Sequence, residues 1–424
     1  LSVAHFLRRH PSIGLTVFEA SSVVGGLARS FSWHGFSCDL APHRLYAHNR
    51  ADIQELLAMV PMHRVRRRSR IQVGGKWIQD PVNALEVMAR FFPQPAFDIG
   101  WHYLRRRPQP EDSFESLVLA RFGKGLNRFF FKPYSEKLFG IPADQISPEW
   151  GRRKIRVGGI KDMLRRRSRL YFKDFYYPNE GGYGSISQAL EADLQPGQLR
   201  LETAVTAIRE EATGGYTLTL RQADGSEEQQ RFDAVVSSLP LTWVLEQLGQ
   251  KLDMGFRPAM LTYLLVRRPQ VTPNHWFYLA DARHVINRVA EFKNFAPPGH
   301  GLPADRTVIC CEVTRLEDFS VERVIADLEE IGVLRADEVE DRHTVRIGQA
   351  YPIYDLAYLD NWAKAQAFAA QHPRLFLLGR NAQFEHKDVD EIFADAKVMA
   401  GLRSDRSAGA MAEGHGARAA ISVS

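Results

Sequence analysis

Val17-Phe18-Glu19-Ala20, followed by Gly25-Gly26 and then by Arg29-Ser30, is the stretch that decides the fold. An acid closing a short apolar strand is the group that holds a ribose hydroxyl pair in a dinucleotide site. Glycines just beyond it let the backbone pass close to a pyrophosphate. Such an acid is normally preceded by a strand, a glycine-rich turn and a helix. Residues 1–9 carry apolar side chains at helical spacing, and Ile13 to Phe18 reads as the next strand. The expectation is therefore a chain that starts inside the first helix and lacks the opening strand and turn. Two readings stand for Glu19, a ribose acceptor or a surface acid at a strand end; the glycines likewise suit a phosphate cradle or an ordinary loop.

The chain has 424 residues, 45% of them hydrophobic, enough to bury a large core in two domains. Its formal charge is a modest +5, but the arginines are clustered. Arg64, Arg66-Arg67-Arg68 and Arg70 form one group, Arg105-Arg106-Arg107 a second, and Arg165-Arg166-Arg167 with Arg169 a third. Such groups meet anionic lipid or a phosphorylated substrate, or merely solvate helix faces; no nucleic-acid partner is expected. Cys38, Cys310 and Cys311 are the only cysteines. An odd count without metal-ligand spacing predicts no metal site, no disulfide and a reducing compartment. No apolar run is long enough to span a bilayer. The expected location is cytoplasmic, with peripheral contact at the inner face of the membrane as an open alternative.

Ser37 to His43 reads as a loop, residues 52–60 as a helix, and Ile71 to Ile78 as a hairpin about Gly74-Gly75. Residues 82–175 are helical in pattern, with aromatics concentrated at Phe129-Phe130-Phe131 and Tyr134, more in the manner of a core than of a substrate cage. A helix opens at Tyr183-Gly184-Ser185, strands follow to Phe232, and Asp233 to Pro240 is a buried strand. Residues 258–315 are strand-rich. Arg374 to Arg380 is a last apolar strand closed by Gly379, and Asp390 to Met399 a last helix with Asp388 or Asp390 as its cap. The Gly/Ala/Ser-rich tail is expected to lack fixed structure. The predicted fold class is α/β, α+β overall. A Rossmann-like nucleotide-binding domain (1–50, 182–240, 372–402) is interrupted twice by a substrate domain (51–181, 241–371) with a helical part and a mixed sheet, and 403–424 form a tail.

Four stretches taken in order resemble the FAD-dependent amine oxidase and protoporphyrinogen oxidase-like superfamily, whose relatives include UDP-galactopyranose mutases. They are Phe18-Glu19-Ala20 through Ser30; Phe131-Lys132-Pro133-Tyr134 through Gly140, leading to Ser147-Pro148-Glu149-Trp150; Tyr177-Pro178 through Gly184, with Val235 to Pro240; and Leu378-Gly379-Arg380 with Asp388-Val389-Asp390-Glu391-Ile392. The resemblance implies FAD as cofactor, with Glu19 on the adenosine ribose and Gly25, Gly26 and Arg29 along the pyrophosphate. The backbone of Val205 would meet the adenine edge, and Pro42 and His43 would approach the flavin ring, although His43 equally suits a satisfied loop histidine. The helix from about Asp390 would aim its free amides, Val389's among them, at the flavin pyrimidine edge. Gly379 and Arg380 would lie near the phosphates or the ring. Tyr351 or Tyr354 would line the substrate site, with Tyr134 a further candidate and no catalytic role assigned. The activity implied is hydride transfer from a C–H or C–N centre of a small-molecule substrate to flavin. A nucleotide-sugar mutase without net redox change, and a non-catalytic flavin-binding or membrane-binding protein, stand as alternatives.

Overall fold

The computed structural model describes residues 1–8, 10, 12–46, 50–82, 84–155, 173–297, 299, 301–401 and 418–423. The arginine cluster at 165–169 lies outside them.

The strand Gly14–Glu19 alternates Leu15 and Val17 toward one face with Phe18 toward the other, and both faces are covered. Burial on both sides is what a continuous apolar run in a parallel sheet demands. Five parallel strands run in the order Leu375–Leu377, Ala234–Ser237, Arg418–Val423, Gly14–Glu19 and Leu199–Arg200. Helices Ser2–Leu7 and Val389–Met399 close one face through Val3, Leu7, Val17, Val236 and Ala396. The antiparallel strands Thr203–Glu210, Tyr216–Gln222 and Glu227–Phe232 close the other, packing Ile208, Tyr216 and Leu218 near Phe18 and Val235.

Two expectations differ here. The tail from 403 was expected to lack structure, yet Arg418–Val423 pairs in register with Gly14–Glu19 on one side and Ala234–Ser237 on the other. Its backbone joins two ladders at the sheet centre, a non-local gain that composition does not reveal. The segment Ser37 to Asp39, expected to be loop, ends a hairpin of Ser30–Trp33 and Phe36–Asp39. His34 and Gly35, at φ of 48° and 81°, form its two-residue turn.

A second sheet of seven strands has the order Val339–Pro352, Phe256–Val266, Thr307–Val313, Arg288–Glu291, Trp276–Leu279, Ser69–Val73 and Lys76–Gln79. All neighbours are antiparallel except Trp276–Leu279 with Ser69–Val73. Helices Phe114–Leu126, Lys132–Phe139 and Pro148–Lys154 pack beside it over Ile71, Val73, Ile78 and Tyr354. Lys137 locks the middle helix to the sheet. Its buried ammonium donates to the carbonyls of Leu279 (2.6 Å), Ile286 (2.9 Å) and Asp281 (3.1 Å), and burial holds its pKa down to about 7. No helix among the described residues is long and apolar enough to cross a membrane.

One carboxylate joins the pieces. Asp39 Oδ1 accepts from Ser30 Oγ (2.6 Å) and the Tyr183 amide (2.8 Å), Oδ2 from the Tyr177 hydroxyl (2.8 Å). Its carbonyl accepts from Tyr263 of the second sheet at 2.7 Å. Burial raises its pKa to about 6, against the pull of these donors.

Candidate active site

Parallel strands end on one edge, and open α/β sheets leave a crevice there. In this chain that crevice is a cavity of about 590 Å³ between the two sheets, within the size range of cofactor and substrate sites.

One end is built from backbone. Gly25 and Gly26 follow the first described strand at φ of 110° and 53°. A Cβ on Gly25 would lie 2.7 Å from Ser187 Oγ and 2.9 Å from Ser187 Cβ, so only glycine lets this loop rest on the helix Ser185–Ala192. Opposite stands the N-terminus of the helix Val389–Met399. Asp388 caps it, and the Asp388 amide donates to Glu391 Oε2 at 2.8 Å, one arm of a capping box. Burial alone would raise the Asp388 pKa; Arg44, Lys154 and Arg380 outweigh it and hold the carboxyl below its usual value. Arg380 donates to the Lys387 carbonyl (3.0 and 3.3 Å), fixing the approach to the cap.

The other end is built from side chains. Arg288 and Glu312 face each other across adjacent strands of the second sheet, with Arg288 Nη2 and Nε at 2.5 and 3.1 Å from Glu312 Oε2. Burial works against the guanidinium, but Glu312 keeps it well above its ordinary pKa. The Tyr351 hydroxyl donates to Glu312 Oε1, and burial together with that carboxylate pushes its phenol up. Tyr134 and Tyr278 meet edge to face at 6.0 Å beside them. Arg44 lies 4.9 Å above the Trp276 ring, and its buried Nε has no hydrogen-bond partner. Arg67 pairs with Asp80 and donates to Ser69 Oγ at 2.9 Å.

Of the residues expected at the site, Gly25, Gly26, Pro42, His43, Gly379, Arg380, Val389, Tyr134 and Tyr351 line this cavity. His43 stacks on Tyr183 at 5.1 Å, and burial, then Arg380 and Arg288, lower its pKa to about 3, leaving a neutral imidazole. The others sit off the wall. Glu19 is 2% exposed at its strand end; Oε1 receives the Ser21 amide at 2.8 Å, while Oε2 is buried without a partner. Arg29 precedes the Ser30 hairpin, half-buried. Val205 packs its side chain near Phe18. Asp390 is buried in the first helical turn, its pKa raised to about 7 by burial and then by Asp388 and Glu391. Tyr354 is a correction: it is core rather than wall, 4.4 Å from the Tyr358 ring, and its oxygen accepts from the His386 amide at 2.9 Å.

Arg44, Arg288 and Glu312 were not singled out from the sequence, and Arg67 only as one member of the arginine cluster at 64–70. The signal available for Glu312 was a lone charge in the otherwise apolar strand Thr307–Val313, whereas Arg288 opens a strand, Arg288–Glu291, that carries a second charge at its other end. Away from the cavity, His284, Asp327 and Glu330 also gather, but Arg323 and Arg283 already engage the two carboxylates.

The model of the family described as flavin containing amine oxidoreductase matches residues 79–379, and that of the NAD(P)-binding Rossmann-like domain matches residues 1–59. The chain belongs to the flavin containing amine oxidoreductase family. Its fold is shared with reduced UDP-galactopyranose mutase (TM-score 0.77, 20% identity, covering 99% of this chain and 96% of the other). A protein from Exiguobacterium sp. 255-15 described as a candidate protoporphyrinogen oxidase is similar too (TM-score 0.72, 20% identity, 95% of each chain). An oxidoreductase from Methanosarcina mazei matches at a TM-score of 0.61 and 15% identity, over 93% of this chain and 96% of the other. No curated protein sequence matches the chain.

The cofactor of this flavin oxidoreductase is FAD, and the residues present fit it. A buried carboxylate oxygen at Glu19 lacks a donor, the left-handed backbone of Gly25 and Gly26 brings their loop to the cavity wall, and the amides of a capped helix open on that cavity.

Proposed function

We propose that this chain is an FAD-dependent oxidoreductase that takes a hydride from a C–H or C–N centre of a small molecule. The observation carrying this is one cavity that runs from the Gly25-Gly26 loop and the Val389 helix terminus to the Tyr134, Tyr278, Tyr351 and Arg288 wall. On this reading Glu19 accepts from the ribose, and Gly25, Gly26 and Arg29 follow the pyrophosphate. The Val205 backbone meets the adenine, Pro42 and His43 face the ring, and Gly379 and Arg380 stand by the phosphates. Asp390 supports the helix terminus, and the Val389 N–H donates to the pyrimidine edge. Bound FAD supplies the electron-pair acceptor. Glu312 then fixes the Arg288 guanidinium and the Tyr351 phenol in one orientation, so the substrate meets a preset cation and ring instead of mobile groups. Neutral His43 keeps a second positive charge away from the ring.

A second reading, a flavin-dependent nucleotide-sugar isomerase, is favoured by the unpartnered Nε of Arg44 beside Arg288, since guanidinium groups suit phosphoryl oxygens. The test is anaerobic titration of the FAD-loaded protein with amines, porphyrinogens, polyenes and nucleotide sugars. Bleaching of the flavin by one class, restored by an acceptor, supports the oxidoreductase. Turnover that needs prior reduction but consumes no reductant supports the isomerase. A folded chain that takes up no flavin refutes both.

A further inference from the structure

The helices Ala84–Arg90 and Gln94–Leu104 leave a large apolar face without cover. Phe92, Phe97 and Leu104 are 76%, 69% and 80% exposed, with Met88 and Trp101 exposed beside them. Residues 97, 101 and 104 fall at helical spacing on a single face, and the Phe97 and Trp101 rings stack at 6.1 Å. The opposite face is firmly seated: Ala96 and Ile99 are buried, and a Cβ on Gly125 of the next helix would lie 2.7 Å from Ile99 Cα. The helix is therefore held rigidly with its aromatic side outward, and an unpaired face of this kind marks an interaction site.

The charges at its rim identify the partner. Among the described residues, Arg105, Arg106 and Arg107 have no carboxylate partner. The Arg105 guanidinium lies 3.7 Å over Trp101, and Arg106 lies 3.7 Å over Tyr103 while donating to its carbonyl. Lys76 sits on the same side, donating to the Arg90 carbonyl at 2.5 Å. The nearby acids are neutralised, Glu86 by Arg90 (2.9 Å) and Asp98 by Arg128 (2.8 Å). Aromatic and leucine side chains that project beyond a fringe of free arginines match the acyl boundary and the headgroup layer of a bilayer. We propose that this face docks on an anionic lipid membrane. The patch also meets the cavity wall: Phe91 contacts Phe129 at 4.8 Å, and Phe130 stacks on Tyr134 at 6.1 Å.

The experiment is co-sedimentation of the full chain with phosphatidylcholine vesicles, with and without phosphatidylserine, at low and high salt. Binding to the anionic vesicles that weakens with salt is expected. Arg105→Gln with Arg107→Gln should lower partitioning about 25-fold, at roughly fivefold per basic residue. Phe97→Ser with Leu104→Ser should abolish it, while the melting temperature and flavin content stay unchanged because these side chains are exposed. Brominated lipid should quench an emission component that Trp101→Phe removes. Failure to sediment at low salt, or binding indifferent to both double variants, overturns the proposal. So does a patch variant that converts a dimer to monomer, or a patch that retains duplex nucleic acid and not vesicles.

Discussion

Gly184→Ala tests how tightly the glycine loop is held. Gly184 has φ of −62° and ψ of −21°, a conformation open to any residue, so the cost of a side chain there is steric alone. The added Cβ would lie 2.5 Å from the Ser30 amide nitrogen and 3.2 Å from the Arg29 carbonyl carbon, both main-chain atoms. Restoring ordinary contact at 3.4 Å moves the two segments apart by about 0.9 Å. The Gly184 N–H to Ser30 Oγ bond, now 2.8 Å, is then lost, and the neighbouring Tyr183 N–H to Asp39 bond weakens. Overpacking costs about 1–3 kcal/mol and the lost neutral hydrogen bond about 0.5–1.5 kcal/mol, together about 1.5–4.5 kcal/mol. For 424 residues the unfolding entropy is about 0.9 kcal/mol/K, so the melting temperature should fall by about 2–5 °C. Differential scanning calorimetry reads this directly, and flavin content by absorbance reports the displaced Arg29-Ser30 turn. Adding Ser30→Ala should restore nothing, because the clash is with backbone. An unchanged melting temperature, or full rescue by Ser30→Ala, would refute the reasoning.

Glu19→Gln should weaken FAD binding about 10- to 150-fold, the equivalent of a charged hydrogen bond of about 1.5–3 kcal/mol. The Ser21 amide retains the amide oxygen, leaving an NH2 where the orphaned acceptor stood; fluorescence titration giving an affinity within twofold of the parent would exclude that role. Asp390 has a folded pKa near 7, above the ordinary carboxyl value. Its ionisation therefore costs stability that is lost as pH rises from about 4 through 7. Asp390→Asn should gain on the parent as pH rises from about 5 to 8, and a melting-temperature difference constant with pH would contradict the shift. Val389→Pro removes one N–H at the first helical position, which tolerates proline, and Asp388 at φ of −89° and ψ of 164° suits a following proline. The helix should persist while the two-electron midpoint potential of the bound flavin drops by about 30–65 mV, from the loss of about 1.5–3 kcal/mol; spectroelectrochemistry showing no change would remove Val389 from the flavin edge.

What could be read in advance was local chemistry. The Gly74-Gly75 turn between alternating runs became the hairpin of Ser69–Val73 and Lys76–Gln79, and Asp388, one of the two caps expected for the last helix, became its N-cap. The Gly25-Gly26 and Gly379-Arg380 turns carried their own signal and came together on one cavity. What escaped depends on partners far away in the chain. The pairing of Arg418–Val423 rests on two distant strands, and nothing within a short Ala/Ile/Val run announces it. Arg288 meets Glu312 only because two strands lie in register. Tyr351 ends on the wall and Tyr354 in the core because the strand Val339–Pro352 stops between them, so periodicity cannot be carried across. The hairpin at Ser30 was hidden by the polar Ser37 and Asp39; the burial of Asp39 follows from the hydrogen bonds it joins.

Asp39 has a consequence for how this molecule acquires its shape. Apart from Ser30, nine positions earlier, its partners stand 138, 144 and 224 positions further along the chain. No contiguous piece shorter than that contains both the carboxylate and its donors, so the first hairpin cannot mature while the remainder is unmade. Such long-range closure is entropically slow. During synthesis the early residues must wait, with a buried acid still seeking its donors, until the strand carrying Tyr263 has emerged. Exchange of the segments on either side between relatives would separate Asp39 from the residues that hold it, which makes this protein a poor donor of interchangeable parts.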